Sequence, residues 1–240
     1  MKPLNNRELL QLWECGSPMH PMDRGLLALS AALPDVSLDA LADWPLGRKN
    51  TALIELRCAC FGRPLRAWTV CPSCAEKLEF ELDGAVLLDR APRNGSTDTV
   101  EVGGQLFRLP TTRDLAAVLR GATDLDRAAR QLAETCHVRT AGSDTAAQPI
   151  ANLALEDIEA GMARADPMAE VLIDLPCPAC GGGHESILDI VSFFWSELEA
   201  RAKRLLREIH DLAMAYGWTE SAVLSLSEHR RAVYLDMVRG

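Results

Sequence analysis

Cys71-Pro72-Ser73-Cys74 and Cys177-Pro178-Ala179-Cys180 are the two stretches that decide how this chain is expected to fold. Apolar and polar residues alternate on both sides of the first stretch, over residues 65–70 and 78–82, and the second stretch also has strand-like sequence on both sides, over residues 171–175 and 184–188. Because alternation with period two is typical of β-strands, each stretch is predicted to be the tip of a β-hairpin.

The Cys-Pro-x-Cys spacing is suited to holding a metal ion. Two thiolates in this spacing can point at one ion, while the proline fixes φ in the turn between them. Two such turns supply four sulfurs, which complete the tetrahedral shell of a structural zinc. We therefore predict that Cys71, Cys74, Cys177 and Cys180 bind Zn²⁺. The alternative is that these cysteines are free or joined in disulfides.

Further candidate ligands leave other metal sites open. Cys58 and Cys60 could form a local site with Cys71 and Cys74, although Cys-x-Cys on a helix points its two thiols to different faces. His184 could replace one sulfur, but a core or exposed histidine is expected. A closed shell of four thiolates has no open coordination position, so the zinc would stabilise the fold and not catalyse a reaction.

One enzymatic pattern matches the cysteines by letter. Zinc deaminases combine Cys-x-Glu or His-x-Glu with Pro-Cys-x-x-Cys, and the glutamate transfers the proton. Cys74, Glu76, Cys177 and Cys180 fit this pattern. Against it, Cys71 would remain idle beside the metal, and Glu76 would begin a strand where the pattern has a helix start. A zinc-dependent nucleobase deaminase is therefore the alternative function; otherwise no catalytic or cofactor-binding residue is predicted.

Composition and charge narrow the classes of partner. The chain has 240 residues, 48% of them apolar, and a net charge of −9. An acidic chain is a poor general partner for nucleic acid, and no apolar run reaches the roughly 18 residues of a membrane span. Eight cysteines without an apolar signal segment at the start favour metal over disulfides and a cytoplasmic location. Cys15 and Cys136 are expected to be small buried apolar residues.

The hydrophobic periodicity predicts an α+β protein that is mostly helical and has four regions. Residues 1–64 are expected to form an N-terminal helical region. Residues 65–82 and 169–188 are the paired zinc hairpins, similar to a zinc ribbon with a long insertion. Residues 83–168 are that insertion, with a small hairpin and helices. Residues 189–240 are expected to form a long helix and two short helices.

Capping residues and helix breakers predict where the elements begin and end. Helices are expected over residues 7–14, 21–33, 37–43, 45–61, 111–120, 124–136, 155–165 and 189–216, then after Thr219 and Ser227. Asn6 is expected to cap the first helix. Strands are expected over residues 99–102 and 105–109, and polar loops over residues 89–98 and 141–148. The long helix presents an apolar seam that is expected to be core: Phe194, Leu198, Ala202, Leu205, Ile209, Leu212 and Tyr216.

Several segments together carry a resemblance to a phage protein family. They are Leu46-Gly47-Arg48 with Leu53, Phe61-Gly62, residues 109–115, Asp166-Pro167, residues 177–181, 194–198 and 216–220, and Leu226-Ser227 with Arg230, Arg231, Tyr234 and Leu235. In this order they resemble the T-even-type baseplate hub assembly proteins of contractile-tailed phages and related prophages.

The resemblance implies a non-enzymatic role in the host cytoplasm during phage assembly. The protein would be a chaperone or adaptor that binds a baseplate or tail hub protein and neither nucleic acid nor membrane. The long final helix and the helical pair within residues 218–238 would be the candidate partner contact. A permanent structural component of the virion baseplate is a third interpretation.

Overall fold

The computed structural model of the protein describes residues 1–92, 97–121, 124–138 and 153–240. In these residues the protein is α+β, as predicted, and 57% helical with small antiparallel sheets. The predicted loop 141–148 and part of the predicted loop 89–98 lie outside the described residues.

The N-terminal region is helical, as its caps predict. It contains α1 (Asn6–Gly16), α2 (Pro21–Ala32), α3 (Leu38–Ala42) and α4 (Leu46–Phe61). The cap of α1 is Asn5 and not the predicted Asn6. The Asn5 side chain accepts hydrogen bonds from the N–H groups of Arg7 and Glu8, and the Glu8 carboxylate accepts from the N–H of Asn5. This reciprocal capping box moves the helix start by one residue.

The first cysteine pair lies between β1 (Pro64–Val70) and β2 (Lys77–Asp83), which form an antiparallel hairpin. The insertion follows with α5 (Gly84–Leu88), β3 (Thr99–Val102), β4 (Gln105–Arg108), α6 (Thr112–Leu119), α7 (Leu125–Cys136) and α8 (Leu155–Ala165). The helix α5 was not predicted, because this five-residue helix, which Asp83 caps, is too short to show a helical period. The insertion has its own small core of Val102, Phe107, Ala133 and Ile158.

The second cysteine pair lies between β5 (Leu172–Pro176) and β6 (Gly183–Ile187), which form an antiparallel hairpin. Three helices follow: α9 (Ile190–Tyr216), α10 (Glu220–Ser225) and α11 (Glu228–Arg239). The helix α9 packs against α1, α2, α4, α10 and α11, so the two ends of the chain share one core. In the predicted seam, five residues are buried: Phe194, Leu198, Ala202, Leu205 and Leu212.

The prediction that the seam is buried is wrong for its last residue, Tyr216, which is 40% exposed. Tyr216 is the last residue of α9. The helix ends at Gly217, whose backbone is in the left-handed conformation. Its ring is covered only in part, by stacking on Trp218 and by an edge contact with Tyr234. The seam therefore becomes core only where another helix lies over it.

The insertion returns to the N-terminal region at the first turn of α4. The N–H of Gly47 donates to Asp166 Oδ2 at 2.8 Å, and a side chain at residue 47 would overlap the Asp166 carboxyl group. The neighbouring Leu46 N–H donates to the carbonyl of Pro110 at 3.0 Å. The middle of the insertion, at Pro110, and its end, at Asp166, are thereby both anchored to the first turn of α4.

Candidate metal centre

The two hairpin tips bring the four predicted thiols together, although they are far apart in the sequence. The sulfur atoms of Cys71, Cys74, Cys177 and Cys180 all lie within 4.8 Å of one another. Cys71 and Cys177 are buried beside Leu78, whereas Cys74 and Cys180 are exposed. Four thiols in this arrangement are compatible with a metal site.

Two of the six distances between sulfurs are close to the edge length of a tetrahedral site. The Sγ atoms of Cys71 and Cys180 are 3.8 Å apart, and those of Cys74 and Cys177 are 3.6 Å apart. A regular tetrahedron with metal–sulfur bonds of about 2.3 Å has edges of about 3.8 Å. A disulfide would need about 2.05 Å between two sulfurs, and all four cysteines are free thiols.

The two turns have the same backbone geometry. In the first turn, the Cys71 N–H donates to the Glu76 carbonyl and the Ala75 N–H donates to the Cys71 carbonyl. In the second turn, the Cys177 N–H donates to the carbonyl of residue 182 and the Gly181 N–H donates to the Cys177 carbonyl. Ala75 and Gly181 occupy the same position and have φ of +60° and +70°. The turns are therefore two copies of one thiol-presenting loop.

The turns prepare the thiols for a cation. The N–H groups of Cys74 and Ser73 donate to the Cys71 sulfur and lower the pKa of its thiol to about 7. The N–H of Glu76 also acts to lower the pKa of the Cys74 thiol. Burial and the neighbouring thiols have the opposite and larger effect, and together they raise the pKa of Cys74 to about 12. The pKa values of Cys71 and Cys74 are thus pushed apart, and a divalent cation beside the two sulfurs would favour the thiolate form of both.

The other candidate ligands lie elsewhere. Among the described residues, the four-cysteine cluster is the only group with the geometry of a metal site, and it contains neither Cys58 nor Cys60. The Cys58 sulfur lies against Gly84, while the Cys60 sulfur accepts a hydrogen bond from the Leu4 N–H at 3.4 Å. Burial raises the pKa of both thiols, so both are expected to remain protonated. The alternative quartet with Cys71 and Cys74 is not formed.

Three more sequence expectations have different outcomes. Cys136 is fully buried, as predicted, but Cys15 is exposed because it faces outward near the end of α1. His184 is partly buried on β6 and is not part of the cysteine cluster. Both of its ring nitrogens are enclosed and have no hydrogen-bond partner among the described residues.

Glu76, the proposed proton carrier of a deaminase, is exposed and directly precedes β2. Its backbone carbonyl belongs to the turn, where it accepts from the Cys71 N–H at 2.8 Å. Because Cys71 is itself part of the four-sulfur cluster, a metal held there would have no position left for water. This arrangement lacks the open coordination position that deaminase chemistry needs.

No family model, no curated protein and no solved structure matches this chain. Within residues 1–92, 97–121, 124–138 and 153–240, no helix is both long enough and apolar enough to cross a membrane.

The matching positions of Ala75 and Gly181 give a stability prediction. An L-residue is strained at positive φ, so we expect Gly181→Ala to lower the free energy of unfolding by about 1 kcal/mol. We expect Ala75→Gly to raise it by up to about 1 kcal/mol, because the strain is removed. Urea unfolding of the metal-loaded protein measures both.

Gly183→Ala is the matched control for this pair. A Cβ atom at residue 183 or at residue 181 would meet nothing within 4 Å, but only residue 181 has positive φ. The control should therefore change the free energy of unfolding by less than about 0.5 kcal/mol. Equal effects of Gly181→Ala and Gly183→Ala would contradict the explanation by backbone strain.

Proposed function

We propose that the protein is a non-enzymatic assembly chaperone or adaptor for the baseplate of a contractile phage tail or a related tail-like particle. Its partner is a baseplate or tail hub protein. A structural Zn²⁺ held by Cys71, Cys74, Cys177 and Cys180 stabilises it, in a pair of hairpins similar to a zinc ribbon. The protein acts in the host cytoplasm during assembly.

The main support for this function is that three of the segments that resemble the baseplate family meet in space. The Leu46-Gly47-Arg48 segment contacts Pro110 through the Leu46 N–H and contacts Asp166 through the Gly47 N–H. These segments are separated by more than 60 and more than 110 residues in the sequence. Segments that maintain one fold are expected to meet in space, so these contacts support the resemblance on which the proposed function rests.

The closed sulfur cluster supports a structural role for the metal. It joins one hairpin to another that lies about a hundred residues further along the chain, as the sequence separation of 103 between Cys74 and Cys177 shows. A metal in this position fixes the base of the insertion and has no free coordination position. This favours an adaptor over a hydrolytic enzyme.

The C-terminal helices offer a surface for the partner. Leu235 packs with Leu212 and Val223, which leaves the opposite side of α11 in solvent. Val233 and Met237 are one helical turn apart on α11 and are 39% and 66% exposed. An exposed apolar stripe at this spacing is suited to packing against another protein. We propose that the baseplate component contacts this stripe.

The test of this function is quantitative mass spectrometry of finished particles and of assembly intermediates from the same lysate. We expect the protein in the intermediates, bound to a baseplate component, and not in the finished particles. A fixed copy number in purified particles would instead establish the third interpretation, a permanent baseplate component. Its absence from both fractions would overturn the baseplate function.

Glu76→Ala separates the proposed function from the deaminase alternative. The substitution should leave particle yield unchanged, because the Glu76 side chain is exposed and only its backbone takes part in the turn. A deaminase would lose its activity, since the glutamate transfers the proton. Nucleobase deamination by the wild type that disappears in Glu76→Ala would establish the alternative.

A further inference from the structure

A buried lysine whose ammonium group has no direct hydrogen-bond or ion-pair partner lines a cavity that opens to the surface. Lys49, in the first turn of α4, is 7% exposed. In the part of the chain that the structure describes, its ammonium group forms neither a hydrogen bond nor an ion pair within 4.0 Å. Buried ammonium groups are normally paired, because removing a charge from water without compensation is costly. The Lys49 nitrogen is not one of the fully enclosed side-chain atoms that lack a partner, so it faces the open space of the cavity, where a ligand can reach it.

Lys49 lines a cavity of about 460 Å³, which is within the usual range for small-molecule sites. The cavity lies where α4, α6, the first turn of α9 and the residues flanking the second hairpin meet. Its walls are mainly apolar and include Leu46, Leu115, Val171, Leu188, Ile190 and Val191. The cavity thus combines an apolar surface with one buried lysine, while the two acidic residues that line it, Glu170 and Asp189, are exposed.

The first turns of two helices line the cavity: that of α2 adds positive potential, whereas that of α9 is already capped by the carboxylate of Asp189. Met22 in α2 and Ile190 in α9 line the cavity, and α2 and α9 are 12 and 27 residues long. Helix N-termini carry a partial positive charge that favours anions.

Two carboxylates also line the cavity, Asp189 and Glu170. Asp189 caps α9, and its two oxygens accept hydrogen bonds from the N–H and the hydroxyl group of Ser192. Burial lowers the pKa of Lys49, and the attraction of Asp189 acts in the opposite direction. The carboxylate of Asp189 therefore helps to keep Lys49 charged but does not bind it directly.

We propose that this cavity binds a small molecule with an apolar aliphatic body and one carboxylate, which pairs with the ammonium group of Lys49. The aliphatic body packs on the apolar walls, and the carboxylate provides the missing partner of the buried lysine. An uncharged ligand would leave Lys49 unpaired, and a cationic ligand would be repelled by it. This site is independent of the cysteine cluster and of the baseplate function.

Calorimetric titration of the full-length, metal-loaded protein tests the site, with octanoate as the probe and octylamine as its cationic counterpart. We expect octanoate to bind the wild type and octylamine to bind at least about tenfold more weakly, because only the carboxylate can form a charge-assisted hydrogen bond with Lys49. No binding of octanoate, or equal binding of the two probes, would overturn the proposal. This comparison uses only the wild-type protein.

Lys49→Met tests the role of the ammonium group directly. Methionine has a similar length without the charge, so we expect octanoate to lose at least about tenfold in affinity. Lys203→Met is the matched control, because Lys203 lies on the surface of α9 in an ion pair with Glu199. The control should bind octanoate as the wild type does. Equal affinity of wild type and Lys49→Met would contradict the proposed pairing.

Discussion

Cys177→Ser is expected to release the metal and to unfold both hairpin tips. Structural zinc contributes roughly 10 kcal/mol or more of binding free energy in small zinc domains, and three thiolates cannot close the tetrahedral shell. Cys177 is 1% exposed, so the serine hydroxyl would also be buried without a metal to bind. Elemental analysis after purification should show metal falling from about one ion per chain to almost none, together with a large fall in melting temperature.

Cys58→Ser is the matched control for this prediction. Cys58, like Cys177, is a free cysteine, and it is partly buried. Its sulfur lies against Gly84 and outside the metal cluster. Its replacement should leave the metal content unchanged and reduce the stability only by the cost of a small buried substitution, about 1 kcal/mol. Metal retained in Cys177→Ser and lost in Cys58→Ser would contradict the ligand assignment. Wild-type protein without bound metal, after expression with added zinc, would contradict the metal site itself.

Arg57→Ala is expected to produce the second largest effect, a loss of about 3–5 kcal/mol in the free energy of unfolding. Arg57 is 1% exposed, and its guanidinium group forms a bidentate pair with Glu197 on α9. The same group donates to the carbonyls of Gly62 and Pro64, where α4 ends and β1 begins. Its removal leaves the Glu197 carboxylate and two carbonyls without their donor.

Arg66→Ala is the control, because Arg66 also pairs with a glutamate, Glu81, but on the outer face of the first hairpin. The side chains of that pair are 82% and 53% exposed. Exposed ion pairs are screened by water, so this change should cost less than about 1 kcal/mol. Urea unfolding of the metal-loaded variants compares the two. Similar losses for both substitutions would show that burial does not decide the strength of the Arg57 contact.

Local patterns predicted most of the secondary structure correctly. The helix α8 has the predicted bounds, Leu155–Ala165, and Thr111, Thr219 and Ser227 cap the helices that follow them. These features depend on residues three or four positions apart, which a sequence displays directly. The hairpin strands were predicted to within about a residue or two for the same reason, because alternation with period two is local.

The failures arise where burial depends on another part of the chain. Cys15 and Tyr216 were both expected in the core, yet both are exposed. Each lies close to the end of a helix, where neighbouring elements no longer cover it. Apolar character alone cannot indicate where that cover ends. Lys49 and Arg57 are buried although charged residues on a helix normally lie in solvent, and no local pattern in the sequence indicates this burial.

Short-range sterics and hydrogen bonding are sufficient to explain the α+β class, most of the helix caps and the two equivalent thiol-presenting turns, so these features can be predicted from local sequence. Which distant groups meet depends on the packing of the whole chain. Cys71 and Cys180 are 109 residues apart in the chain, and Arg57 and Glu197 are 140 residues apart. Such contacts form only when the helical core brings the two ends of the chain together. The same packing buries Lys49 beside its cavity, since burial is a property of the assembled core and not of the residue.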